Sequence, residues 1–226
     1  MNSTNKQGAK KNKKQRYFLY DFVKATGAIP ALLWLRPKVT YLNEKSPKRV
    51  KGGALIASNH ISFFDPVVVH CVFWYRRLNC IATKDLFTSK TKEWFFTKMH
   101  CIKIDKENFT MRSLHSVINR LNEEKAVVIF PEGTVNREEE QALKNYKSGA
   151  ILMAHISGKP IVPMYIAKRE RWYERTRVVI GEEIDVRTLC GKIPTTEEIE
   201  RASKYLYDKE KQMAEFLQKE GGKKER

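Results

Sequence analysis

Short, unbroken apolar runs alternate with amphipathic stretches between residues 54 and 181. Ala54–Ala57 reads as a short buried strand, and the continuous run Ala126–Phe130 suits a strand covered on both faces. The runs place strands at 54–59, 78–83, 100–105, 126–130, 160–166 and 177–181, with helices between them. Leu114, Val117, Ile118 and Leu121 recur at i, i+3, i+4 and i+7, which predicts a helix over 109–123 lying on one face of the sheet. Thr195 and Glu198 have capping-box spacing, and Ile199, Ala202, Leu206, Met213 and Leu217 continue a helical stripe to about residue 218. Strand alternating with helix predicts an α/β fold: a single domain, over 43–218, with a largely parallel or mixed sheet flanked by helices and ligands bound beyond the strand ends. A chain of 226 residues with no internal repeat or long linker needs no second domain.

The N-terminal pattern differs. Tyr17 to Val23 and Ala28 to Arg36 are rich in aromatic residues and leucine, but Asp21 and Lys24 interrupt the segment and Pro30 bends it. It falls short of the ~20 apolar residues that span a bilayer. Its charged interior also argues against a signal peptide. Residues 17–42 read instead as an interfacial helical anchor, with packing of 17–36 on the domain's own core as the competing reading. Residues 1–16 have almost nothing apolar to bury and read as a basic, flexible tail, and 219–226 form a charged C-terminal tail.

Charge sharpens this picture. With 43 Lys and Arg against 26 Asp and Glu, the formal net charge is +17, which favours phosphate-bearing surfaces. Nucleic acid and an anionic bilayer are both such surfaces. The basic cluster Lys6, Lys10, Lys11, Lys13, Lys14 and Arg16 leads straight into the aromatic segment, which favours an anionic membrane surface, and no nucleic acid partner is expected.

Two polar constellations follow apolar runs. In Ser58-Asn59-His60-Ile61-Ser62-Phe63-Phe64-Asp65-Pro66, the preceding run Ala54–Ala57 is a strand, while Asp65-Pro66 reads as a helix N-cap with proline at the first helical position. Five positions apart, His60 and Asp65 do not share a helix face, but a strand-to-helix turn lets them meet. A carboxylate on one ring nitrogen fixes the tautomer and leaves the other to take a proton from a hydroxyl. No Gly-x-Ser-x-Gly is present, so direct base-assisted attack is favoured over an acyl-enzyme. In Phe130-Pro131-Glu132-Gly133-Thr134, Gly133 permits a positive φ and close approach of a ligand. Thr134 adds a hydroxyl there, and Glu132 an acceptor for hydroxyls or a partner for a cation. The competing readings are a loop histidine with a simple helix cap, and an ordinary strand-ending turn.

In order and spacing, the Asn-His-x4-Asp block, the Phe-Pro-Glu-Gly-Thr segment about seventy residues later and the Ile161-Val162-Pro163 strand resemble the 1-acyl-sn-glycerol-3-phosphate acyltransferase family. The resemblance covers roughly Ala54 to Ile166 and implies a sheet flanked by helices with N-terminal helices at the membrane. It implies that His60 is the general base, that Asp65 orients it, and that Glu132, Gly133 and Thr134 help hold the acyl acceptor. The implied reaction moves a fatty acyl group from acyl-CoA or acyl carrier protein to the free hydroxyl of a lysophospholipid; lysophosphatidate would give phosphatidate. No cofactor is implied beyond the donor thioester, and the expected location is the cytoplasmic face of the cell membrane, peripheral or monotopic.

The chain departs from the family pattern where phosphate is held. Lys106 stands where an arginine usually ends the intervening strand, and Val135 follows Glu-Gly-Thr where another arginine is common. Lysine supplies a point charge rather than a bidentate fork. Lys147, in Tyr146-Lys147-Ser148-Gly149, resembles the family's lysine-glycine segment and would restore charge near the phosphate. These departures keep glycerol 3-phosphate or another lysolipid open as acceptor; a non-catalytic basic protein that binds membrane or nucleic acid is the alternative in another class. Between Phe87 and Phe96, Trp94 and several lysines either line an acyl groove or belong to a helix that packs Trp94 and Phe95 into the core. Cys71, Cys80, Cys101 and Cys190 lack Cys-x2-Cys pairing and read as free thiols, and His70, His100, His115 and His155 lack zinc-ligand spacing, so no metal site is expected.

Overall fold

The structure, a computed structural model, describes residues 17–105, 110–133, 148–169, 171 and 173–222. Among the described residues seven strands form one sheet: β1 (Lys38–Tyr41), β2 (Ala54–Ser58), β3 (Leu78–Thr83), β4 (Ile102–Ile104), β5 (Ala126–Ile129), β6 (Ile161–Ile166) and β7 (Arg177–Ile180). Their order is β1-β7-β6-β2-β5-β3-β4. Neighbours run parallel except for the antiparallel pair β6–β7, so the sheet is mixed. The helices are α1 (Phe18–Leu35), α2 (Asp65–Val72), α3 (Lys90–Lys98), α4 (Met111–Asn122), α5 (Gly149–Ser157) and α6 (Thr196–Gly222).

Burial explains why the central strands lack an alternating pattern: every residue of β2 and β5 is buried. Alternate positions feed two cores. Leu55, Ala57, Val127 and Ile129 pack with α4, α5 and α6, whereas Ala54, Ile56, Ala126 and Val128 pack with α2 and with Leu35 of α1. In α4 the predicted stripe Leu114, Val117, Ile118 and Leu121 is the buried face, and the Thr110 hydroxyl caps the helix by accepting the Ser113 N–H at 3.3 Å. The predicted capping box forms at α6: Glu198 Oε2 accepts the Thr195 N–H at 2.9 Å, and Thr195 Oγ1 accepts the Glu198 N–H at 3.2 Å.

One boundary is corrected. The anchor, expected to run to residue 42, is helical only to Leu35, and Lys38–Tyr41 is a half-buried edge strand paired with β7 in register Lys38↔Arg177. The helix passes through Pro30 without ending.

α1 is held to the domain along its length. Tyr20 is buried and its hydroxyl accepts the Leu78 N–H at 2.8 Å. Lys24 Nζ donates to the Arg76 carbonyl at 2.6 Å, Arg77 pairs with Asp21, and Leu35 is buried at the other end. The opposite stripe, Phe18, Phe22, Ile29 and Leu33, is exposed. At about 100° per residue those four lie within a ~60° sector. By length and composition α1 is apolar enough to cross a membrane. Its lateral attachment to the domain instead lays it against the protein surface with one apolar stripe outward.

Candidate active site

Register brings the two motifs together. β2 and β5 pair with Ala57 opposite Ile129, so three residues beyond that pair His60 and Glu132 come level at one sheet edge. They touch: the His60 backbone N–H donates to Glu132 Oε1 at 3.2 Å. Just before, Asn59 closes the neighbouring ladder. Its side-chain amide donates to the Ile166 carbonyl at 2.9 Å and its Oδ1 accepts the Ile166 N–H at 2.8 Å. A buried amide bonded to both groups of one backbone residue fixes the strand end from which His60 projects.

His60 Nδ1 donates to Asp65 Oδ2 at 2.9 Å, which leaves Nε2 as the lone-pair nitrogen. The same oxygen accepts the N–H groups of Ile61 and Ser62, each at 2.7 Å. Asp65 is 2 % exposed, so these three donors replace the water its carboxylate would otherwise bind. This corrects the expectation of a helix cap. Asp65 is the first residue of α2 and Phe64 occupies the N-cap position, so Pro66 is second in the helix; the carboxylate turns back to the 60–62 turn, where a ring nitrogen and two amides converge. The ring of His60 stacks on Phe130, centroids 4.3 Å apart, and is partly open to solvent.

His60 lines a cavity of about 1400 Å³. Its walls are largely apolar. α1 contributes the small residues Gly27, Ala28 and Ala31, and Phe130, Pro131 and Gly133 edge the strand-end side. Gly133 has φ +70, the conformation expected of it. Glu132 is 2 % exposed, does not line the cavity and accepts the His60 backbone N–H, so its carboxylate helps orient the histidine-bearing turn. Thr134, Lys106 and Lys147 lie outside the described residues. Trp94 and Phe95 are in α3, which has no buried residue, so the core-packing reading fails; Phe95 and Phe96 face the cavity. All four cysteines are free, and burial pushes the Cys101 thiol up to about 11.

Sequence reasoning missed Glu210. It lies one long helix away from either motif, in α6, yet burial and then repulsion from Glu132 raise its pKa from 4.5 to about 8. The fold therefore keeps a proton that the unfolded chain releases above about pH 4.5. Stability from this group is intact below that pH and is lost as pH climbs through about 8, by roughly 3–5 kcal/mol. Glu210→Gln stays neutral throughout. Thermal unfolding from pH 5 to 8.5 is expected to show the parent losing on the order of 10 °C relative to the variant; parallel curves would refute the assignment.

Beyond the geometry, a family model described as Acyltransferase matches residues 38–167, more than half of the chain. The chain belongs to the acyltransferase family. This acyltransferase is 29 % identical over 145 residues to the 1-acyl-sn-glycerol-3-phosphate acyltransferase of Bacillus subtilis (strain 168), a match covering 64 % of this chain and 69 % of that protein. A protein of the same name from Streptococcus pneumoniae (strain ATCC BAA-255 / R6) is 26 % identical over 141 residues, 61 % of this chain and 51 % of its own length. A probable 1-acyl-sn-glycerol-3-phosphate acyltransferase of Mycoplasma pneumoniae (strain ATCC 29342 / M129 / Subtype 1) is 31 % identical over 139 residues, covering 57 % and 49 %. The acyltransferase thus spans about half the length of the last two. The fold matches the crystal structure of the 1-acyl-sn-glycerophosphate (LPA) acyltransferase PlsC from Thermotoga maritima, with TM-score 0.62 and 21 % identity over 92 % of this chain and 84 % of that one.

Proposed function

We propose that this acyltransferase moves a fatty acyl group from an acyl thioester to the free hydroxyl of lysophosphatidate, giving phosphatidate, with His60 as general base. The observation that carries this reading is the His60–Asp65 pair at the wall of a large apolar cavity. The relatives' names supply the acceptor.

His60 Nε2 takes the proton of the acceptor hydroxyl as its oxygen attacks the thioester carbonyl, and Asp65 stabilises the imidazolium that forms. Collapse of the tetrahedral intermediate breaks the C–S bond. The leaving thiolate takes the proton back from His60, so an ester and a thiol result and the base is regenerated. The transfer balances without a metal or organic cofactor. The N–H groups of Ile61, Ser62, Phe64 and Gly133 are already paired, so donors to the oxyanion come from elsewhere.

The outward stripe of α1 and the basic residues preceding it support a peripheral or monotopic position on an anionic membrane, on its cytoplasmic face where acyl-CoA and acyl carrier protein are found. Incubation of purified protein with lysophosphatidate and labelled acyl-CoA or acyl carrier protein in parallel, followed by lipid mass analysis, is expected to yield phosphatidate with at least one donor. Glycerol 3-phosphate and other lysolipids serve as competing acceptors. Acylation of one of these but not of lysophosphatidate would overturn the acceptor, and no acylation from folded protein would overturn the reaction.

A further inference from the structure

Helix α3 poses a problem of stability. Nine residues without a buried member are too few to hold a helix in water by propensity. Its N-terminus is capped by the Ser89 hydroxyl accepting the Lys92 N–H at 3.3 Å, and Phe96 packs on Phe87, but neither contact buries a residue of the helix. One flank, Phe95, Phe96 and Met99, faces the cavity. On the other, Lys90, Trp94 and Lys98 recur at i, i+4 and i+8, which sets an indole between two ammonium groups on one stripe. Trp94 is 54 % exposed. Glu93 is paired with Lys103, whereas Lys90 and Lys98 make no ion pair among the described residues, so the outer stripe of α3 is cationic as well as aromatic.

The surroundings continue this surface. Leu32 of α1, Phe63 in the catalytic turn, Trp74 after α2 and Phe95 of α3 are all exposed and all line the cavity, so they mark its mouth. An opening rimmed by large apolar side chains is unfavourable in water and favourable in hydrocarbon. Lysines beside an indole are the side chains that reach headgroups while their stems and the ring enter the boundary layer.

We propose that α3 is a second membrane contact, with Trp94 among acyl chains and Lys90 and Lys98 on anionic headgroups. The cavity mouth between α1 and α3 then opens onto the leaflet, and long-chain substrates reach His60 without crossing water. The occupant of the α3 surface is an anionic bilayer because an aromatic centre flanked by unpaired cations matches both of its layers. The clause on substrate passage rests on the acyl-transfer reading; the contact itself does not.

The full chain carrying Trp94 as its sole tryptophan (W34F/W74F/W172F) is mixed with phosphatidylcholine–phosphatidylglycerol vesicles containing brominated chains. Trp94 fluorescence is expected to be quenched. Trp94→Glu combined with Lys90→Glu and Lys98→Glu is expected to weaken vesicle binding about 100-fold. Transfer with long-chain substrates held in vesicles should fall in proportion, while transfer between short-chain, water-soluble donor and acceptor keeps the parent rate. Unquenched Trp94, or unchanged vesicle affinity in the triple variant, would overturn the contact. A loss confined to transfer from an acidic acyl carrier protein, with Trp94 unquenched, would overturn it in favour of a protein partner. Absence of transfer by the parent protein even with soluble substrates counts against the reaction and leaves the quenching result to decide the contact.

Discussion

A His60→Ala protein is expected to stay folded and keep vesicle binding, with an unfolding temperature lowered by only a few degrees, while its acyl-transfer rate falls by about 10³-fold or more. The stability expectation follows from what the ring touches: a stack on Phe130, one hydrogen bond to Asp65 and the cavity. The backbone N–H that ties this residue to Glu132 survives the substitution. Removal of the ring does leave Asp65 with two donors, the Ile61 and Ser62 N–H groups, which is enough to keep a buried carboxylate in place. The rate expectation follows from the lone pair on Nε2, for which the turn offers no substitute base. Single-turnover transfer from a labelled thioester measures the chemical step apart from product release. A rate within threefold of the parent's would end the general-base reading.

Replacement of Asp65 by asparagine should cost both rate and stability, and the split between them is informative. An amide at this position has one accepting oxygen and two donor hydrogens where three donors now converge on Oδ2. If the amide oxygen serves the two backbone N–H groups, its NH2 meets Nδ1 of His60, which must then accept. The proton shifts to Nε2 and the ring can no longer take one from a hydroxyl. Transfer should fall by ~10²–10⁴-fold. Loss of a charge-assisted bond in a buried turn should also cost about 1–3 kcal/mol. Rate measured at a temperature where circular dichroism shows both proteins folded separates the two effects. A variant that loses stability but transfers at the parent rate would leave Asp65 as a purely structural residue.

How much of this was legible depended on the distance over which each interaction acts. The buried strands, the α4 stripe and the α6 capping box were readable because each is local: a run, a periodicity, a pair three residues apart. The His60–Asp65 pair was readable because a five-residue turn closes it. β1 was not. Its four residues, Lys38, Val39, Thr40 and Tyr41, are half-buried at a sheet edge, and their partner strand is 139 positions away in register. The bond from the His60 backbone to Glu132 was not legible either, because the sequence shows a carboxylate after a strand but not which way it turns; the β2–β5 register decides that. Asp65 was read as a cap because Asp-Pro before a helix is a common start, and only the turn's three converging donors override that preference. Glu210 carries no local signal, since its proton is held by burial and by a carboxylate from another part of the chain.

Helix α1 serves two environments at once, and this constrains any attempt to make the enzyme easier to handle. Shortening the chain to remove its greasy start would also tear out the Gly27–Ala28–Ala31 panel and the Tyr20 and Leu35 footings, opening the apolar cavity to water. Polar replacements restricted to Phe18, Phe22, Ile29 and Leu33 would spare that panel, so the outward apolar stripe can be removed residue by residue without dismantling the cavity wall, but not by trimming.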